Sequence, residues 1–134
     1  MKAIQVGASV VRRIIIDKPR TIDFLGDELR VYATPELVRD VETICRNFLL
    51  DFVDAGEDSV GFSINIPHSA ASPLGMHVDI GITVTAVEGR KVMFAVTARD
   101  DAEEICKGNH SRFVVEVEKL RTRVAAKAAK LECI

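Results

Sequence analysis

The chain has 134 residues, the usual size of one domain, and 48% of them are hydrophobic, enough for a core without disulfide or metal staples. A formal net charge of −2 lacks the basic excess of a nucleic-acid binder, and no Trp with a single Tyr leaves little to stack on bases. No apolar run approaches the ~20 residues that span a bilayer and Met1–Gly7 has no signal-peptide core, so a cytoplasmic protein without membrane or nucleic-acid partners is expected.

The first predicted strand is Ala8–Asp17, carrying Val10, Val11, Ile14, Ile15 and Ile16. Lys18–Arg30, with Pro19 and Gly26, reads as a loop or lid. A long helix follows. Thr34 suits its N-cap and Pro35 its first helical position, where a missing N–H costs nothing. Leu37, Val38, Val41, Ile44, Cys45, Phe48, Leu49 and Phe52 recur at 3.6-residue spacing as one buried stripe. Glu36, Arg39, Asp40, Thr43 and Asn47 fall on the opposite face, and Ala55-Gly56 is expected to end the helix.

The period then changes to two. Val60, Phe62, Ile64 and Ile66 alternate with polar or small residues and form one expected core phase. Ser72–Gly75 is a turn signal, and Met76 to Ala86 alternates again. Glu88-Gly89 marks a hairpin into Val92, Phe94, Val96 and Ala98. Arg99–Asp101 turns the chain into a last strand over roughly Glu103–Glu118, with Phe113, Val115 and Val117 in one phase. The order is strand, helix, four strands. Short connections make the strands antiparallel, and the apolar helix must bury its stripe on one sheet face, an α+β arrangement. No linker divides the chain, so residues 1–134 read as one domain with a basic tail, 119–134, that admits a short helix and is otherwise a solvated face. Cys45, Cys106 and Cys133 form no CxxC pair and no zinc-spaced cluster; they read as reduced thiols, with Cys45 and Cys106 in or near the core.

Three polar residues stand out against these patterns. Glu42 lies about 90° from the centre of the helix stripe, at the border of the buried face, where a partly desolvated carboxylate is primed for base or nucleophile chemistry. His68 continues the phase of Val60 to Ile66 and is aimed at the helix, with an imidazole suited to proton transfer near neutral pH. Thr34 places a hydroxyl at the helix N-terminus, whose partial positive charge favours an oxyanion. Each has an ordinary structural reading, as a flank carboxylate, a core histidine and a cap. Taken together, a hydroxyl, a carboxylate and an imidazole at one junction are the equipment for acyl transfer to water. Gly61, in a strand, marks close approach of another group. Arg112 sits among apolar residues with a structural salt bridge as its default, and His77 and His110 receive no role.

The chain resembles the fluoroacetyl-CoA thioesterase-like hotdog proteins. The likeness rests on Ala33-Thr34-Pro35-Glu36-Leu37-Val38 with Glu42, on His68-Ser69-Ala70-Ala71-Ser72-Pro73-Leu74-Gly75, on Val87-Glu88-Gly89-Arg90, and on Gly108-Asn109-His110-Ser111-Arg112 followed by Glu118-Lys119. It spans about Ala33 to Lys119. The resemblance implies a hotdog fold, an antiparallel sheet wrapped around one central helix, working as a homodimer or dimer of dimers with an acyl-CoA substrate, no metal and no cofactor. It assigns catalysis to Thr34, Glu42 and His68 and substrate contacts to Gly61 and Arg112. The family's gating phenylalanines precede its threonine; the corresponding places here hold Leu25 and Glu28. An acyl-CoA other than fluoroacetyl-CoA is therefore expected. The nucleophile (Thr34, Glu42, or a water activated by Glu42) stays open at this level, as does the sharing of the site between subunits. Hydration or dehydration of an acyl thioester, or non-catalytic binding of acyl-CoA or another small ligand, are the alternative functions.

Overall fold

Residues 1–133 are described by the computed structural model; the side chain of Cys133, and with it the expectation for its thiol, lies outside the described part. The main sheet joins β1 (Ser9–Ile15), β4 (Glu57–Asn65), β5 (His77–Glu88), β6 (Lys91–Asp100) and β7 (Glu104–Glu116). They lie in the order β1-β5-β6-β7-β4, antiparallel throughout. β5 and β6 turn through a two-residue hairpin in which Glu88 faces Lys91 and Gly89 takes φ +61°, the positive-φ geometry such a turn requires. The segment expected as a loop or lid carries a short ribbon, β2 (Thr21–Ile22) paired with β3 (Val31–Tyr32). The basic tail continues from β7 as α2 (Val117–Ala129), with no buried residue.

The sheet curls around α1 (Thr34–Leu50), whose residues Leu37, Val41, Ile44, Cys45 and Leu49 are buried against Val78, Ile80, Ile82 and Val84 of β5 and Val92, Phe94 and Val96 of β6. Fully burying one such aliphatic side chain contributes about 1.5–3 kcal/mol, so this stripe anchors the helix. Cys45 and Cys106 are buried free thiols.

Four sequence expectations are corrected. Ala33, in extended backbone, is the N-cap and makes no side-chain cap; Thr34 is already helical, so its hydroxyl is free for another partner. The helix stops at Leu50, before Ala55, because Asp54 gives its N–H to the Glu57 carboxylate and Gly56 at φ +81° turns the chain into β4. Asp40 is buried, not part of the polar face, because Arg20 and Tyr32 both bond its carboxylate.

The fourth correction concerns the phase of β4. Val60 and Phe62 are 38% and 63% exposed. A bulge at Phe62 breaks the period of two: Val60 opposes Phe113 and Gly61 opposes Arg112, but beyond the bulge Ser63 opposes Ser111 and Ile64 opposes His110. Directly opposed residues share a face. Ser59 and Gly61 therefore face the helix, Val60 faces away, and the slip returns Ile64 to the helix face of the sheet, where it is still 39% exposed and not in the core. Phe62 lies on the outer face, where the Lys91 ammonium sits 4.6 Å from its ring centre.

Candidate active site

Two polar pairs lie along α1. At the first helical residue, the Thr34 hydroxyl and His68 Nδ1 are 2.8 Å apart. His68 sits in the connection after β4, held by a bridge to Cys106 and by the Ser69 N–H donating to the Ile105 carbonyl at 2.8 Å. The Tyr32 ring meets the imidazole edge-on, centroids 5.9 Å apart. Tyr32 is itself fixed by donating its hydroxyl to Asp40, which Arg20 grips through Nε at 2.9 Å and Nη2 at 3.2 Å. The β2–β3 segment is thereby clamped to α1 directly behind the histidine. Thr34 and His68 line an open cleft of about 540 Å³ with an apolar wall of Ile22, Phe24, Val31 and Ala70.

Eight residues on, the second pair forms. Arg112 donates Nη1–H to Glu42 Oε2 at 3.0 Å. The guanidinium is 5% exposed and is locked by Nε–H to Ser59 Oγ at 2.8 Å and Nη2–H to the Ser59 carbonyl at 2.9 Å, while the carboxylate side chain is 44% exposed to a second cleft. The packing explains Gly61: a β-carbon there would lie 2.9 Å from Glu42 Oε2 and 3.7 Å from Arg112 Nη1. The carboxylate rests over a strand where only glycine leaves it room.

His68 is half-buried, and burial lowers its pKa below the ordinary 6.5, so the ring is neutral at pH 7. Its Nε2 is buried without a hydrogen-bond partner among the described residues. Such an atom normally loses about 1–3 kcal/mol, which marks a place for a group brought by substrate, water or a second subunit. Burial likewise pushes the Cys45 thiol up to about 12, so it stays a thiol beside Glu42 and Arg112.

One chain thus joins Thr34 to His68 and Glu42 to Gly61 and Arg112, but not the two groups to each other. Positions 34 and 42 are separated by about 12 Å along the axis at 1.5 Å per residue. Sequence reasoning passed over Ser59, Tyr32, Asp40 and His110. For His110 a signal existed: it lies two residues from Arg112 in a strand, hence on the same face. Among the described residues no group of three or more His, Cys, Asp or Glu is placed to hold a metal, and no helix is long and apolar enough to cross a membrane.

The sequence and the fold have relatives. The family model for FlK, fluoroacetyl-CoA-specific thioesterase, matches residues 16–118. The fluoroacetyl-CoA thioesterase of Streptantibioticus cattleyicolor is 32% identical over 117 residues, 87% of this chain and 81% of that protein. The solved structure of the fluoroacetyl-CoA thioesterase FlK superposes with a TM-score of 0.86 at 29% identity, covering 94% of this chain and 98% of that one. A hypothetical protein of Thermus thermophilus, a thioesterase superfamily member, superposes over the full length of both chains with a TM-score of 0.90 at 25% identity. The curled antiparallel sheet and its helix are a hotdog fold, and the chain is a thioester hydrolase. It belongs to the fluoroacetyl-CoA-specific thioesterase family.

Proposed function

We propose that this hydrolase cleaves an acyl-CoA other than fluoroacetyl-CoA, using Thr34, Glu42 and His68 at a site completed between two subunits. The observation that carries the reading is the state of His68: Nδ1 engaged by Thr34, Nε2 buried and partnerless among the described residues. If Nδ1–H donates to the Thr34 oxygen, Nε2 keeps its lone pair and serves as the general base once bound substrate or the second subunit brings a water to it. Nε2 then takes a proton from water as the water oxygen bonds to the thioester carbonyl carbon. The oxyanion forms near the N-terminus of α1, where the helix dipole favours it. Collapse breaks the C–S bond, and the CoA thiolate leaves with the proton from Nε2. Atoms and charge balance without a cofactor.

Glu42 orients the attacking water through the carboxylate oxygen not taken by Arg112. Because Glu42 lies about two helical turns from Thr34, Glu42 of the partner subunit is the one that serves a given His68. A two-fold axis perpendicular to α1 would set the two helices antiparallel and so bring Glu42 of one subunit toward Thr34 of the other. The free edge of β4 supports a homodimer, since an unpaired edge is a template for strand addition. A mutant of FlK solved in complex with fluoroacetate and CoA supports a CoA ester as substrate. Leu25 and Glu28, where the gate would stand, support a different acyl group, and Ile22, Phe24 and Val31 favour an apolar one.

The test is release of free CoA thiol from a panel of acyl-CoAs that includes fluoroacetyl-CoA. A branched, longer or aromatic acyl group is expected to exceed fluoroacetyl in kcat/KM. A preference for fluoroacetyl would overturn the substrate reading, and release by Glu42→Ala and His68→Ala at the wild-type rate would overturn the site.

A further inference from the structure

We infer that His110 is a positioning residue for catalysis: as a neutral imidazole it accepts from Arg112 and holds that guanidinium in the orientation that aims Glu42. This rests on the reading of Glu42 as part of the site and extends it to a residue outside the cleft. His110 lies on β7 two residues from Arg112 and is 2% exposed. Its Nδ1 is 2.8 Å from the carbonyl oxygen of Ser63. A carbonyl only accepts, so Nδ1 carries the proton and Nε2 carries the lone pair. Nε2 faces Arg112 Nη1 at 3.4 Å. That Nη1 has two protons, one directed to Glu42 Oε2 and the other to the imidazole. Nε and Nη2 each give a proton to Ser59. The ring is therefore a third anchor on a rigid planar group, placed at the nitrogen that holds the carboxylate.

The bulge at Phe62 makes this arrangement. It brings the Ser63 carbonyl over the His110 ring while leaving Gly61 opposite Arg112. The charged groups acting on the ring are Arg112 from β7 and Glu42 from α1; Ser59 and Ser63 of β4 do not titrate near neutrality. An imidazolium would be a second cation 3.4 Å from the guanidinium and would have no lone pair to offer it. Burial first, then Arg112, hold the pKa of the ring below its ordinary value against the opposing pull of the Ser63 carbonyl and of Glu42.

The experiment compares His110→Gln and His110→Asn in the whole 134-residue chain, each alone and with Glu42→Gln, by thiol release from the best acyl-CoA and by melting temperature. Glutamine carries an oxygen far enough to replace Nε2; asparagine replaces the Nδ1 donor to Ser63 but stops short of Arg112. Expected is a kcat within about threefold of wild type for His110→Gln and at least about tenfold lower for His110→Asn, with KM changed less than about threefold. In the Glu42→Gln background the two variants are expected to differ by less than about twofold. Equal losses in both, or an undiminished difference without the Glu42 carboxylate, would overturn the inference. Ring-nitrogen NMR gives a readout independent of activity: Nδ1–H is expected at neutral pH, and an Nε2–H tautomer would overturn the inference. Full activity of Glu42→Gln alone would strike instead at the role of Glu42, with the tautomer still readable.

Discussion

The carboxylate of Glu42 lies over the α-carbon of Gly61, so close that a β-carbon would stand 2.9 Å from Oε2. Gly61 has no positive φ, so alanine strains no backbone there. The obstructing atom is the end of a flexible side chain, which swings aside at little cost. Gly61→Ala is therefore expected to melt near the wild type while lowering kcat at least about tenfold, the consequence of misplacing a reacting group by about 1 Å. Wild-type kcat would show that the carboxylate needs no such seat.

The Thr34–His68 pair gives a second expectation. Thr34→Ser retains the oxygen that holds Nδ1–H and should keep most of the activity. Thr34→Val is nearly isosteric and loses the oxygen. It should lower kcat by about 10²–10⁴, the usual contribution of a positioned base, with thiol release as the readout. Because Thr34 is exposed and caps no backbone group, both variants should unfold at nearly the wild-type denaturant midpoint.

Protonation sets the acid side of the pH profile. The burial that lowers the pKa of His68 means that kcat/KM should fall with acid through a midpoint below 6.5. Stability should follow the same sign. His68 and His110 are both held below 6.5, so the unfolded chain binds more protons. Their contribution is complete above 6.5 and is lost as pH falls through their folded values. The buried Asp100 is held below the ordinary carboxylate value by Ser72 and by backbone N–H groups, against its burial, so its contribution is lost only at lower pH. Urea midpoints between pH 7.5 and 5 resolve the histidine window; a flat response would contradict it.

The clamp on the β2–β3 segment can be released separately. Asp40 is buried under Tyr32 and Arg20. Asp40→Asn removes the charge that pairs with Arg20 and should destabilise by about 1.5–3 kcal/mol, the range for a charge-assisted bond. With Tyr32 loosened against His68, KM should rise more than kcat falls. An unchanged KM together with an unchanged urea midpoint would show that the clamp is not holding the β2–β3 segment.

Much of this was legible in the sequence. The alternation of Val78 to Val84 and of Val92 to Ala98 places those side chains in the core, because both strands lie in the middle of the sheet and are covered by α1. Edge strand β4 misled, since a bulge is one extra residue and leaves no mark in a period of two. Asp40 misled because helix periodicity carries no information about Arg20, twenty positions away, which makes its burial tolerable. The border position of Glu42 followed from the helical wheel, but its partner Arg112, seventy positions later, needed the sheet register. His110 was passed over for the same reason: its meaning depends on the Ser63 carbonyl, placed by the bulge.

The most direct measurement of the shared Thr34, Glu42 and His68 site is subunit complementation. Glu42→Ala and His68→Ala chains, each inactive alone, are refolded together and assayed for CoA thiol release. If His68 works with Glu42 of the partner subunit, every mixed dimer regains one intact site, and a random mixture should recover about one quarter of the wild-type rate. Release no faster than that of either variant alone, under conditions where mass analysis finds mixed dimers, would contradict a site built from both subunits.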